Sequence, residues 1–410
     1  MKTADETAAP DDAPQGPVAP EAPDASDASE ASEASEASEA PKASKAREIP
    51  EVPAAPGATA EDGAAYDRDP SVRSRAISTA IRLGVRPFLH RVPGHPVGVR
   101  TARSTVDVAS MLVRPSQGVR VRQVVDPQVE SGRSRRSVRG EWLVTRDGGE
   151  RPSAGAVLYL HGGGYVVCSP RTHRPITSRL ALDTGLPVFA PRYRLAPEHP
   201  FPAPLEDALA AYRWLLDRGV PASGIVIAGD SAGGHLAASL TGEICRTGLP
   251  RPAGTVLYSP WIDLTCELSI EAQRLARDPY ISARSARRVA RLVVGAAGFE
   301  DPRLALLTSP WADTPPFLIQ VGGDEVLRAE GEAFAEALGA AGNRCELQVW
   351  KGQMHVFQML NRVLPEASAA MDETRRFVRS VVGGATPAAG TATGTATGTG
   401  TGTGTGTEAA

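Results

Sequence analysis

The serine in Gly229-Asp230-Ser231-Ala232-Gly233 is the side chain of this sequence whose neighbours best suit nucleophilic chemistry. A Gly-x-Ser-x-Gly string by itself says little, because any chain rich in glycine and serine can contain one. Its setting carries the weight. The string follows an apolar run, Ile225–Ala228, and leads into Gly234 and a helical pattern opening at His235-Leu236-Ala237. A strand, a tight turn and a helix in that order hold a serine exposed on a strained corner, and small flanking residues leave room for the reversal. The helix N-terminus also brings backbone donors close to any negative charge that develops there. The competing reading is the phosphate-binding turn of a nucleotide-binding protein. Against it, no lysine follows the glycine pair, and the serine comes too late for the first strand-to-helix turn of such a sheet.

A second group, His161-Gly162-Gly163-Gly164-Tyr165, stands directly after the apolar run Ala156–Leu160. Three glycines allow a substrate to approach the backbone and let several amide N–H groups converge on one small volume. Acyl transfer needs such donors for its tetrahedral oxyanion. The amides of Gly163 and Gly164, joined by that of Ala232, are the candidates, with His161, Gly162 and Asp230 as supporting motif positions. Ser231 needs a base, and His355 lies just after the last apolar run and before the last helical pattern. In this type of sheet the nucleophile, the acid and the histidine follow one another in that chain order. Of the seven histidines, His90 and His95 precede the sheet, while His161, His173, His199 and His235 precede the acid or belong to other motifs. Two adjacent carboxylates, Asp324 and Glu325, follow the run Phe317–Val321. Either could orient the imidazole and stabilise its charged form.

These groups need a scaffold. From Gly155 onward short apolar runs alternate with helical patterns, the mark of a parallel sheet with crossover helices. The strands are expected at Ala156–Leu160, Pro187–Ala190, Ile225–Ala228, Thr255–Tyr258, Phe317–Val321 and Glu346–Trp350. Val119–Val125 and Ser137–Val144 alternate apolar and polar residues and suit an antiparallel hairpin at the sheet edge. Helices are expected near Leu205–Arg218, Gly234–Arg246, Ala329–Ala341 and Glu366–Val382. Two helical segments stand outside this alternation, Ser71–Arg91 and Leu268–Val294. The fold class is therefore α/β: a mostly parallel sheet of about eight strands with helices on both faces.

Both ends are low in complexity. Residues 1–65 are rich in Ala, Glu, Asp, Ser and Pro, and residues 383–410 reduce largely to Thr and Gly. Such segments bury too little apolar surface to offset their ordering entropy and are read as disordered, leaving 66–382 as one domain. The net charge of −3 owes much to the acidic N-terminal part, and nothing suggests a nucleic-acid surface. Only four of the 44 basic residues are lysine, which speaks of codon bias more than of chemistry. Cys168, Cys245, Cys266 and Cys345 lack the paired spacing of metal or redox motifs. The histidines lack ligand spacing, so neither a metal nor another cofactor is expected. No leader and no run of about 18 apolar residues is seen, so a cytoplasmic location without a membrane span is expected.

The sequence resembles the hormone-sensitive-lipase-like branch of the α/β-hydrolases, which includes bacterial esterases, acetyl-hydrolases and arylacetamide deacetylases. The resemblance covers about 157–382. It rests on His161–Gly164, on Tyr193-Arg194-Leu195-Ala196-Pro197-Glu198-His199-Pro200-Phe201-Pro202-Ala203, on Gly229–Gly234, on Asp278-Pro279-Tyr280, and on His355 with Phe357 two residues on. It implies a Ser–acid–His triad, an oxyanion hole from Gly163, Gly164 and Ala232, and a helical cap, assigned here to about 66–115 and 264–308. The family's acid stands two residues before a leucine in a stretch ending Leu-Arg-Asp-Glu-Gly. Leu327-Arg328-Ala329-Glu330-Gly331 matches that ending except at Ala329, which implies Glu325 as the acid, with Asp324 the alternative. The expected activity is hydrolysis of short-acyl esters, the expected partner a small-molecule ester, and homodimerisation is left open. Amide deacetylation is the alternative within the same chemistry. A non-catalytic receptor is the alternative of another class; the plant gibberellin receptors resemble this family but lack the histidine that His355 supplies here.

Overall fold

The structure, a computed structural model, describes residues 65–383 apart from 85, 87–95, 132–133, 147–154, 275, 277 and 280, and for 128–136 only the course of the backbone. The expectations of disorder for 1–65 and 383–410 therefore fall, save at 65 and 383 themselves, outside the described residues.

Among the described residues an eight-stranded sheet runs in the order β1-β2-β4-β3-β5-β6-β7-β8. The strands are β1 (Val119–Ser131), β2 (Ser134–Thr145), β3 (Ala156–Leu160), β4 (Val188–Pro191), β5 (Ile225–Asp230), β6 (Gly254–Tyr258), β7 (Phe317–Gly322) and β8 (Cys345–Trp350). β1 and β2 pair antiparallel, as does β2 with β4, while β4, β3, β5, β6, β7 and β8 are parallel to one another. The expected edge hairpin and parallel centre are both present. The helices are α1 (Val72–Gly84), α2 (Pro96–Ser110), α3 (Arg174–Thr184), α4 (Ala203–Asp217), α5 (Ala232–Thr247), α6 (Glu267–Ala272), α7 (Ala283–Val294), α8 (Arg328–Ala340) and α9 (Pro365–Val382).

The period-two geometry of a strand divides the core in two. Leu158 and Leu160 of β3 and Ile225 and Ile227 of β5 join the residues of α4, α5 and α8 on one face. Val157, Tyr159, Val226 and Ala228 join Ile176 and Leu180 of α3 and Met371 and Phe377 of α9 on the other. Burial on both faces explains why β3 and β5 read as unbroken apolar runs, and the loops with Gly162–Gly164, Ser231, Glu325 and His355 follow the C-terminal ends of β3, β5, β7 and β8. Chemistry-bearing loops leave from those ends.

Three helical expectations change. Leu268–Val294 is not one helix but two, α6 and α7, because Pro279 lacks an N–H and disfavours helix in the residue before it. α2 was not expected as a helix, and neither was α3. Its buried side includes Thr177 and Ser178 beside Ile176, Leu180 and Ala181, so its apolar stripe is diluted in the sequence. In the N-terminal segment, α1 packs Ile77 and Ile81 against Trp350, Met354 and Phe357. Ser74 Oγ donates to Gln353 Oε1 at 3.0 Å, and Arg103 of α2 donates to the Val166 and Ala196 carbonyls at 2.8 and 2.5 Å.

Candidate active site

Ser231 sits between the end of β5 and the first turn of α5 with φ 53° and ψ −121°. Non-glycine residues rarely adopt this conformation, and only a well-braced surrounding holds it. The bracing is visible: the Ser231 amide donates to the Tyr258 carbonyl at 2.9 Å, and its own carbonyl accepts from the amides of Gly234, Trp261 and His235 at 2.9, 3.0 and 3.1 Å. The flanking glycines are there for space. A Cβ on Gly229 would lie 2.2 Å from the Gly233 carbonyl oxygen, and one on Gly233 would lie 2.1 Å from that of Leu160.

His355 occupies the loop after β8, where the Val356 amide donates to Ser259 Oγ at 3.0 Å. Its Nε2 lies 3.0 Å from Ser231 Oγ and its Nδ1 2.9 Å from Glu325 Oε2. The other Glu325 oxygen accepts the Gly322 amide at 3.0 Å, so the carboxylate is fixed at both ends. His355 is 4 % and Glu325 2 % exposed. A carboxylate at Nδ1 places the ring proton there and leaves the Nε2 lone pair facing the serine hydroxyl. Burial pushes the imidazole pKa down, but the hydrogen bond and charge of Glu325, with Asp278 and Asp230 farther off, carry it above the ordinary value. Asp324, the alternative acid, is half-buried. Its amide donates to the Gln353 carbonyl at 3.0 Å, and its carboxylate bonds nothing among the described residues. The acid loop is also tied to the α6–α7 link: Asp278 accepts the amides of Val326 at 3.1 Å and Ile281 at 2.7 Å. Tyr280 of that motif lies outside the described residues.

The glycine loop leaves β3 alongside. Gly163 and Gly164 have φ of 105° and 62°, a backbone that L-residues adopt only with strain. The Gly163 carbonyl accepts from Val166 and Val167 at 3.1 and 3.0 Å, which closes the turn. The amides of Gly163, Gly164 and Ala232 donate to no acceptor among the described residues, and that of Ala232 belongs to a helix's first turn, where no intrahelical partner exists. Gly162 is held differently: its amide donates to Asp230 Oδ1 at 3.0 Å. His161 is buried and stacked on Tyr193 at 4.3 Å, and burial pushes its pKa down to about 3, so it packs as a neutral ring. Val289 of α7 lies against Gly164, its Cγ1 3.3 Å from where a Cβ would stand.

Several residues here escaped the sequence reading. His173 lies 3.1 Å from Asp230 Oδ2, Tyr159 donates to Asp230 Oδ1 at 2.6 Å, and His235 Nδ1 lies 2.7 Å from Tyr165 Oη. No spacing rule singles them out, since they are brought together only by the pairing of β3 with β5. Cys168, beneath Gly163, is no rival nucleophile, because burial pushes its thiol up to about 12.

Taken together, a hydroxyl, an imidazole and a carboxylate in series beside unengaged amides can activate an oxygen nucleophile and receive an oxyanion. A family described by the α/β-hydrolase fold matches residues 157–359. An acetyl-hydrolase of Streptomyces hygroscopicus is 39 % identical over 236 residues, 57 % of this chain and 78 % of that protein. The carboxylesterase/phospholipase LipF of Mycobacterium tuberculosis is 34 % identical over 328 residues, 78 % of this chain and 85 % of the relative. A crystal structure of an esterase from the bacterial hormone-sensitive lipase family superimposes with a TM-score of 0.66 at 32 % identity, covering 76 % of this chain and 99 % of that one. The chain thus belongs to the α/β-hydrolase family, in the hormone-sensitive-lipase-like branch of serine esterases.

Proposed function

We propose that the protein hydrolyses carboxylic esters of short acyl chains through Ser231, His355 and Glu325. The observation that carries this reading is the series Glu325 Oε2 to His355 Nδ1 at 2.9 Å and His355 Nε2 to Ser231 Oγ at 3.0 Å, beside three amides without acceptors among the described residues. Ser231 Oγ attacks the ester carbonyl carbon while its proton passes to His355 Nε2. The carbonyl oxygen takes up the electron pair against the amides of Gly163, Gly164 and Ala232. Collapse of the tetrahedral adduct breaks the bond to the alkoxy oxygen, which receives the proton from Nε2 and departs as the alcohol. Water then gives its proton to the same nitrogen and attacks the acyl-enzyme, releasing the acid and restoring Ser231. Glu325 stays ionised and holds the ring in the useful tautomer.

A helical cap from about 66–115 and 264–308 bounds the site in this reading, with Val289 of α7 pressed against Gly164 and confining the acyl side. The name of the Streptomyces relative, an acetyl-hydrolase, agrees with a small acyl group. Ser231→Ala should abolish turnover of p-nitrophenyl acetate and butyrate, and rates should fall as the acyl chain is lengthened to octanoate and beyond. Wild-type turnover by Ser231→Ala would remove the triad, and a rate maximum at long chains would remove the short-acyl assignment.

A further inference from the structure

We infer that His173 is a positioning residue of the oxyanion loop: through Asp230 it fixes the Gly162 amide, and with it the direction in which the Gly163 and Gly164 amides point. The inference rests on the oxyanion assignment above.

Asp230 is the last residue of β5, next to Ser231, and is 3 % exposed. Its Oδ1 accepts the Tyr159 hydroxyl at 2.6 Å and the Gly162 amide at 3.0 Å, and its Oδ2 faces His173 Nε2 at 3.1 Å. Asp230 Oδ2 can only accept, so His173 Nε2 carries the proton between them. The other ring nitrogen lies 2.7 Å from Thr172 Oγ1, which holds the ring in that orientation. The charges balance the same way: burial pushes His173 down, yet Asp230 carries it above its ordinary value, and His173 with Tyr159 brings the buried Asp230 below its own.

The carboxylate therefore has a donor for each direction it faces. Removal of His173 strands a buried charge at Oδ2, and Asp230 must then take up a proton or turn. Either change weakens its hold on Gly162. The backbone there has no slack: a Cβ on Gly162 would stand 2.2 Å from Asp230 Oδ2. The next two residues carry the amides that face the oxyanion, and a donor misplaced there acts on the transition state more than on the bound ester.

The test uses His173→Leu and His173→Gln in the full chain, with steady-state hydrolysis of p-nitrophenyl butyrate, thermal midpoint, and affinity for n-butylboronic acid. Boron accepts a serine oxygen to give a tetrahedral anion of the shape the loop should hold. Loss of one oxyanion donor costs about 10²–10³ in kcat, so a donor displaced but retained is expected to cost about 10- to 100-fold. His173→Leu should show that loss in kcat with KM within about threefold, and a matching loss of boronate affinity. His173→Gln, whose amide can donate to Oδ2, should recover most of both. Folded His173→Leu with wild-type kcat and boronate affinity overturns the inference. If His173→Leu does not fold, Tyr159→Phe withdraws a different donor from the same carboxylate. That variant should show a smaller loss with the same split, and its indifference overturns the inference equally. A wild-type enzyme that ignores the boronate, or an active Ser231→Ala, instead overturns the assignment on which the inference rests.

Discussion

Replacing Glu325 by glutamine removes one charge and almost no volume, and the surroundings dictate how the new amide must lie. One Glu325 oxygen accepts the Gly322 amide at 3.0 Å and the other faces His355 Nδ1 at 2.9 Å. Glutamine has only one acceptor oxygen, and placing its NH₂ against the Gly322 N–H would oppose two donors. The oxygen therefore goes to Gly322 and the NH₂ to the imidazole. His355 must then present its lone pair at Nδ1 and its proton at Nε2, where it can no longer take the proton of Ser231. A wrong tautomer of this kind costs about 10⁴ in kcat, or about 5.5 kcal/mol of barrier. KM for p-nitrophenyl butyrate should move little. Because Glu325 raises the His355 pKa against burial, its loss should also shift the acid limb of the kcat/KM profile to lower pH. That limb falls as pH drops, since the base must be neutral to act. Asp324→Asn should stay within about twofold, as its carboxylate bonds nothing among the described residues and a half-exposed charge of this kind has little to couple to. The reasoning fails if Glu325→Gln keeps more than a tenth of kcat with an unmoved acid limb, or if Asp324→Asn alone is inactive.

Glu330 is wholly buried, accepts the Asp263 amide at 2.9 Å and the Ser269 hydroxyl, and burial pushes its pKa up to about 8. The folded state then holds a proton that the unfolded chain gives up near 4.5, so stability should fall as pH rises between those values. At 1.36 kcal/mol per pH unit the difference amounts to at most about 5 kcal/mol. Urea unfolding of Glu330→Gln from pH 5 to 9 should lack that part of the slope, and curves parallel to wild type would contradict it. Gly233→Ala should cost about 3 kcal/mol or more and abolish activity, because its Cβ meets the Leu160 and His161 carbonyl oxygens at 2.1 and 2.5 Å. Gly339→Ala, in α8 with nothing within 4 Å, should instead gain about 0.5–1 kcal/mol; the two urea midpoints moving in the same direction would refute the packing account.

The central strands were legible because burial on both faces writes them as continuous Val, Leu and Ile, and most came within a residue of their expected ends. β5 ran two residues farther than expected, to Asp230, because its pairing with β3 and β6 continues to the edge of the serine turn. α3 was hidden by Thr177 and Ser178 on its buried side, and the break between α6 and α7 was passed over despite Pro279. The motifs named Ser231 and His355 by spacing and order, which follow from local turn chemistry and connectivity. Turn chemistry alone did not separate the two adjacent carboxylates, and only the family resemblance at Leu327-Arg328-Ala329-Glu330-Gly331 favoured Glu325, because which of them faces the histidine depends on the turn after β7, set by the Gly322 amide and the Asp278 contact. His173 was set aside as a histidine placed too early in the chain, and only the side-by-side pairing of β3 with β5 brings it to Asp230.

The carbonyls of Leu160 and His161 lie where a side chain on Gly233 would have to go. The end of β3 and the start of α5 are thereby keyed into each other, and neither can be reshaped while the other keeps its form. Attempts to broaden the substrate range should leave 160–164 and 229–234 untouched as a single part. The outer side of α7 offers more freedom: Val289 lies against Gly164, while Arg284, Arg287, Arg288 and Arg291 are exposed. Substitution of Val289 should alter what the site admits while leaving that keyed pair in place.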